Sequence, residues 1–103
     1  MWKRAMISQP MDGLDIVPIQ HAQYNAVQWL QDHDYVVQTS YITEPVPTSV
    51  VNRSVWYLAK SLEVMADVDA VYFCKGWQNA RGCLIEHKVA KDYGITCIYE
   101  EDN

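Results

Sequence analysis

The sequence predicts an α/β fold, a three-layer sandwich built on a small, mostly parallel sheet of four to five strands. Three observations carry this. Strand-like and helix-like segments alternate along the 103 residues. The segment AVYFC, residues 70–74, is five consecutive apolar residues, as for a strand covered on both faces. Pro10, Gly13 and Gly94 stand at the junctions between segments. Alternation of this kind implies right-handed crossovers, with helices on both faces of one sheet.

The elements follow in order. RAMIS, residues 4–8, is a short first strand, and QPMDGLD after it is a turn. From Pro18 to His33 the chain reads as helix, with Pro18 in its first turn and Ile19, Ala26, Val27 and Leu30 on one face. YVVQT, residues 35–39, is a second strand. The segment SYITEPVPTSVVN carries two prolines and no period, so it reads as a loop long enough to be a candidate lid. A second helix is expected from Ser54, its cap, to Ala66, with Val55, Leu58, Ala59, Leu62 and Met65 inward. The strand 70–74 follows, then a helix starting near Asn79 or Ala80 and stopped by Gly94. ITCIY, residues 95–99, is the last strand, and EEDN a polar tail. There is no repeat and no internal boundary, so residues 1–103 form one domain.

Composition narrows the function. Eight basic residues against 13 acidic ones give a net charge of −5, which argues against duplex nucleic acid as a partner. No stretch approaches the roughly 20 apolar residues of a membrane span, and the apolar run in MWKRAMIS is too short for a signal peptide. The three cysteines, Cys74, Cys83 and Cys97, follow no metal-ligand spacing and read as core thiols of a reducing cytosol. A cytoplasmic protein with no metal and no cofactor is expected.

One residue stands out. On a helical wheel Glu86 falls at the middle of the arc formed by Gly82, Cys83, Val89, Ala90 and Tyr93. The opposite arc carries Leu84, Lys88, Lys91 and Asp92, with His87 at its border. Glu86 is in the second turn, where the helix dipole has faded, and the inward arc offers it no cation. A carboxylate so placed is desolvated and a functional candidate. In parallel α/β sheets ligands bind outside the carboxyl ends of the strands. The turn from Gln9 to Gly13, the turn from Lys75 to Asn79 and the start of the Glu86 helix all belong to that end.

Other residues were weighed against it. The turn SQPMDG has neither a dinucleotide nor a Walker pattern, and it reads equally as an ordinary βα turn or as one whose Ser8 and backbone at Met11, Asp12 and Gly13 hold hydroxyls or a phosphate. Trp77 after Gly76 is expected at the rim, where it would stack on a base or cover the core. Arg81 near a helix start suits an anion or plain solvent. Tyr24 reads as core packing, and His21, His33 and His87 as surface residues. No serine or cysteine has a nucleophile's setting.

The stretches MISQPMDG and DAVYFCKGWQNARGCLIEHKVAKDYGI, with their separation, resemble the nucleoside 2-deoxyribosyltransferase-like superfamily, and within it the small DUF4406-type proteins of bacteria and phages. The resemblance spans nearly the whole chain, and its C-terminal motif is the more specific. It implies a flavodoxin/Rossmann-like fold and cleavage of the N-glycosidic bond of nucleosides or nucleotides. Glu86 then looks like the nucleophile that attacks the anomeric carbon, as in retaining glycosidases. Ser8, Met11, Asp12 and Gly13 would line the sugar site. Gly76, Trp77 and Asn79 would flank base or sugar, and Gly82 would permit close approach.

Three positions depart from that pattern. Ser61 stands where such enzymes often carry an aspartate, Gln9 where a glycine is common, and Ala80 where nucleotide-cleaving members have a phosphate-binding serine. Arg81 would have to take over the phosphate contact. These departures keep a second expectation open, a non-catalytic pocket for a nucleotide-derived ligand, and a third, an interaction domain with a vestigial pocket. The narrow sheet and apolar helix faces lead us to expect a homo-oligomer. The resemblance adds that a neighbouring subunit helps close the site, for which EEDN is the candidate segment.

Overall fold

The computed structural model describes residues 2–11, 13–38 and 44–102. Asp12 and residues 39–43, which include the end of the expected second strand and the start of the expected lid, lie outside the described residues.

Strands β1 (Lys3–Ser8), β2 (Tyr35–Val37), β3 (Ala70–Phe73) and β4 (Thr96–Tyr99) form one four-stranded sheet in the order β2-β1-β3-β4. All three pairings are parallel. Helix α1 (Ile16–Asp32) links β1 to β2, α2 (Arg53–Met65) links β2 to β3, and α3 (Arg81–Asp92) links β3 to β4. The three-layer α/β sandwich expected from the alternation is therefore the fold.

The alternation of side chains along a strand divides the core in two. Ala5, Ile7, Ala70, Tyr72 and Cys74 point to one face and are covered by Ala26 and Leu30 of α1. Met6, Val71 and Phe73 point to the other, against Met65 of α2 and Ala90 of α3. Residues 70–74 are buried throughout, as the apolar run requires.

Several expectations need correction. Asn52, not Ser54, caps α2: its Oδ1 accepts from Val55 N at 3.0 Å. Val55 is 58 % exposed and Ala59 is exposed, so α2 turns Leu58, Ser61, Leu62 and Met65 inward instead. Apolar residues on several sides of its first two turns left the wheel without one clear direction. Tyr24 is exposed. Tyr93 is 80 % exposed, because the chain has left α3 and taken φ −106° there. Gly94, at φ +73°, ends that helix as expected. All three cysteines are free thiols; Cys74 and Cys83 are buried and Cys97 is half-buried.

Candidate functional site

The carboxyl ends of β1 and β3 lie side by side, since Ser8 is in register with Phe73. From β1 the chain departs to the α1 face, and from β3 to the α3 face. Adjacent strands whose connections leave in opposite directions open a crevice between them. Ser8 follows Met6 by two residues, so its side chain joins the face covered by α2 and α3. There it meets Glu86, which α3 turns inward with Cys83 and Ala90 as the wheel predicts.

Ser8 Oγ donates to Glu86 Oε1 at 2.6 Å, across 78 residues of sequence. Ser8 is 2 % and Glu86 7 % exposed, and they are the buried polar residues among those described. Burial pushes the Glu86 carboxyl above its ordinary range, while hydrogen bonds from the Ser8 and Ser61 hydroxyls pull the other way. Ser61 thus meets the carboxylate from α2 as a neutral donor. No described cation is paired with Glu86 in an ion pair. Cys83 beside it is a thiol and not a thiolate. Burial raises it to about 11 against a lowering hydrogen bond with Ser8, and the charge of Glu86 adds to the rise. Glu86 is accordingly the nucleophile candidate of the two.

Two turns frame this pair. Gly13 adopts φ +74° where Leu14 N donates to Met11 O at 3.3 Å, and Met11 is 49 % exposed at the lip. Gly76 adopts φ +91°, and a Cβ there would lie 3.7 Å from Pro10 Cγ, so a side chain at this position would reach the turn after β1. Gln9 does not face the opening: its Nε2 donates to Ile19 O at 2.6 Å and ties the turn to α1. Asn79, Arg81 and Gly82 are exposed around the start of α3, and apart from Gly82's neighbours and its own helix backbone nothing described lies within 4 Å of the position a Gly82 Cβ would take. The structure therefore brings Ser8, Met11, Gly13 and Gly76 to the same end of the sheet as Glu86. Asp12 is outside the described residues.

Trp77 serves as a core cover. It opens a 3-10 turn (Trp77–Asn79) and sits 4.2 Å from the His87 ring, 5.4 Å from Phe73 and 5.7 Å from Tyr99, centroid to centroid. His87, expected at the surface, is half-buried here and shares a 2.7 Å hydrogen bond between its Nε2 and the Tyr99 hydroxyl. Burial, then Lys91, lowers its pKa. The tail forms a second 3-10 turn (Glu100–Asp102) that folds back on its own chain. Glu100 Oε1 accepts from Lys75 N at 3.0 Å, and Glu101 Oε1 from Trp77 Nε1 at 3.2 Å and Gln78 Nε2 at 2.8 Å. The alternation of β4 could have signalled Tyr99 beside Phe73; nothing local signals the glutamates.

Among the described residues, no group of three or more His, Cys, Asp or Glu side chains is arranged to hold a metal ion, and no helix is long and apolar enough to cross a membrane. Among protein families, the one described as "Domain of unknown function (DUF4406)" matches residues 3–99. Comparisons with curated proteins and with solved structures gave no match.

Proposed function

The chain belongs to the DUF4406 family, and on that premise we propose that it cleaves or transfers the N-glycosidic bond of a nucleoside or nucleotide, with Glu86 as nucleophile. The observation that supports this reading is a buried carboxylate at the crevice between β1 and β3, held by Ser8 and paired with no cation among the described residues. A Glu86 oxygen attacks the anomeric carbon. The bond to the base nitrogen breaks, and that nitrogen takes the electron pair and a proton from water. The glycosyl ester is then displaced by water or a second base, restoring the carboxylate. Ser8 holds the carboxyl in place, and the Ser8 and Ser61 hydroxyls temper its raised pKa. Ser8, Met11, Asp12 and Gly13 would bind the sugar, and Gly76, Asn79, Arg81 and Gly82 would serve the base or a phosphate. Trp77, packed into the aromatic cluster, would flank them.

A second reading is favoured by Ser61. A hydroxyl there supplies no charge to tune the nucleophile or leaving base, which suits a pocket that binds a nucleotide-derived ligand without turnover. Self-association also belongs to this proposal. The outer side of α3 carries a groove of about 370 Å³ lined by Leu84, Ile85, Lys88, Val89, Asp92 and Tyr93. Lys88 and Asp92 pair with each other at 2.7 Å, which leaves Leu84, Ile85, Val89 and Tyr93 as the apolar surface that a second copy would cover.

Chromatography of nucleosides and 5′-monophosphates, incubated with and without a free acceptor base, tests the reading. Released or exchanged base is expected from the wild type and none above background from Glu86→Gln. Ligand binding that survives in both proteins without any base release would establish the pocket reading instead.

A further inference from the structure

We propose that Glu101, assisted by Glu100, is a positioning residue that fixes the entry into α3 and, through it, the placement of Glu86. Helix α3 begins at Arg81 after Ala80, a residue with no side-chain oxygen to cap the first amides. Something else must define where the helix starts. The chain runs from the end of β3 to that start through Lys75–Ala80, and its internal bonds are few. Trp77 N donates to Cys74 O at 3.1 Å, Asn79 N to Gly76 O at 3.0 Å and Ala80 N to Trp77 O at 3.2 Å. Gly76 at φ +91° makes this turn the softest part of the connection.

The two glutamates supply the missing restraint. They take three donors spread over the turn: the backbone N–H of Lys75, the indole N–H of Trp77 and the amide of Gln78. A carboxylate acceptor makes these bonds stronger than neutral ones. Glu101 receives two of them on one oxygen, which couples the Trp77 ring to the backbone course. The ring in turn lies on His87, the residue after Glu86 in α3. Tyr99, immediately before the glutamates, also hydrogen-bonds His87 and lies against the Trp77 ring. The C-terminal turn thus holds the chain that leads into α3 and, through the Trp77 ring, bears on His87 in the second turn of the helix, while the sheet holds Ser8 opposite. Loosening the clasp would let the carboxylate drift from Ser8 and admit water. The catalytic consequence rests on the proposed function; the positioning itself does not.

The test compares Glu101→Ala with Glu101→Gln, which removes the charge but keeps an acceptor oxygen. Two signals are read by NMR: solvent exchange of the Trp77 indole N–H, assigned with Trp77→Phe, and the titration of the Glu86 carboxyl carbon. In Glu101→Ala, exchange should quicken by about tenfold or more, and the Glu86 titration should move down toward the ordinary carboxylate range as water enters. Glu101→Gln, which keeps the bonds in weaker neutral form, should move both readouts in the same direction but clearly less far than Glu101→Ala. Loss of charge alone would move the two variants equally far, and that result overturns the proposal. So does an unchanged Glu86 titration in Glu101→Ala. Both readouts decide the matter in a protein that turns over no nucleoside, so failure of the proposed reaction is seen separately.

Discussion

The two faces of the sheet are made from alternate residues of the same strands, yet they are chemically different. Under α1 the described interior is Ala5, Ile7, Ala26, Leu30, Ala70, Tyr72 and Cys74, with no ionised group. Under α2 and α3 an equally apolar patch of Met6, Met65, Val71 and Phe73 gives way, at the carboxyl end, to Ser8 and Glu86. Between Ile7 and Ser8 the chain advances one residue and crosses from one regime to the other. A face with nothing to do but pack can be dry throughout; a buried carboxylate costs stability and is retained where it does something.

This contrast can be broken from either side. The largest stability effect is expected on the dry face. Leu30→Ala removes a fully buried side chain and should cost about 3 kcal/mol. Chemical denaturation would read the loss, while activity per folded molecule should not change. On the wet face the sign reverses. Burial raises the folded pKa of Glu86 above that of the unfolded chain, so the folded state holds the proton more tightly. Stability is then highest at acid pH and falls as pH rises through the ordinary carboxylate range to the raised folded value. Glu86→Gln should remove that slope and gain about 1 kcal/mol at neutral pH, roughly 5 °C in Tm, while losing turnover. Calorimetry across pH would show a parallel profile for both proteins if Glu86 were not strained by burial. The smallest change should come from Ser8→Ala. It removes a donor that lowers the Glu86 pKa, so the acid limb of the activity profile should move to higher pH.

Much of this was legible before any coordinates. Alternation gave the parallel sandwich, and the wheel turned Glu86 inward with Cys83 and Ala90 as neighbours. Both rest on periodicities that a chain cannot satisfy in many ways. The failures share a different cause. The bearing of α2 was ambiguous because Val55, Trp56, Tyr57 and Leu58 surround its first turns. Tyr93 met the wheel's criterion but lies past the end of the helix. His87 finds its partner through the register of Phe73 with Tyr99, and Lys75 finds Glu100 twenty-five residues away. Such pairings exist only after two strands have docked, and no local pattern encodes them.

The closeness of Pro10 to Gly76 has a consequence for anyone who would redesign this crevice. Two turns separated by most of the chain lie so near that a first side-chain carbon added at Gly76 would reach Pro10, so neither is an independent variable. A library that lengthens the first turn while keeping the second would mostly sample collisions. Randomising residues 9–13 and 75–79 together would instead explore openings of different width, with Ser8 and Glu86 left as the fixed frame between them.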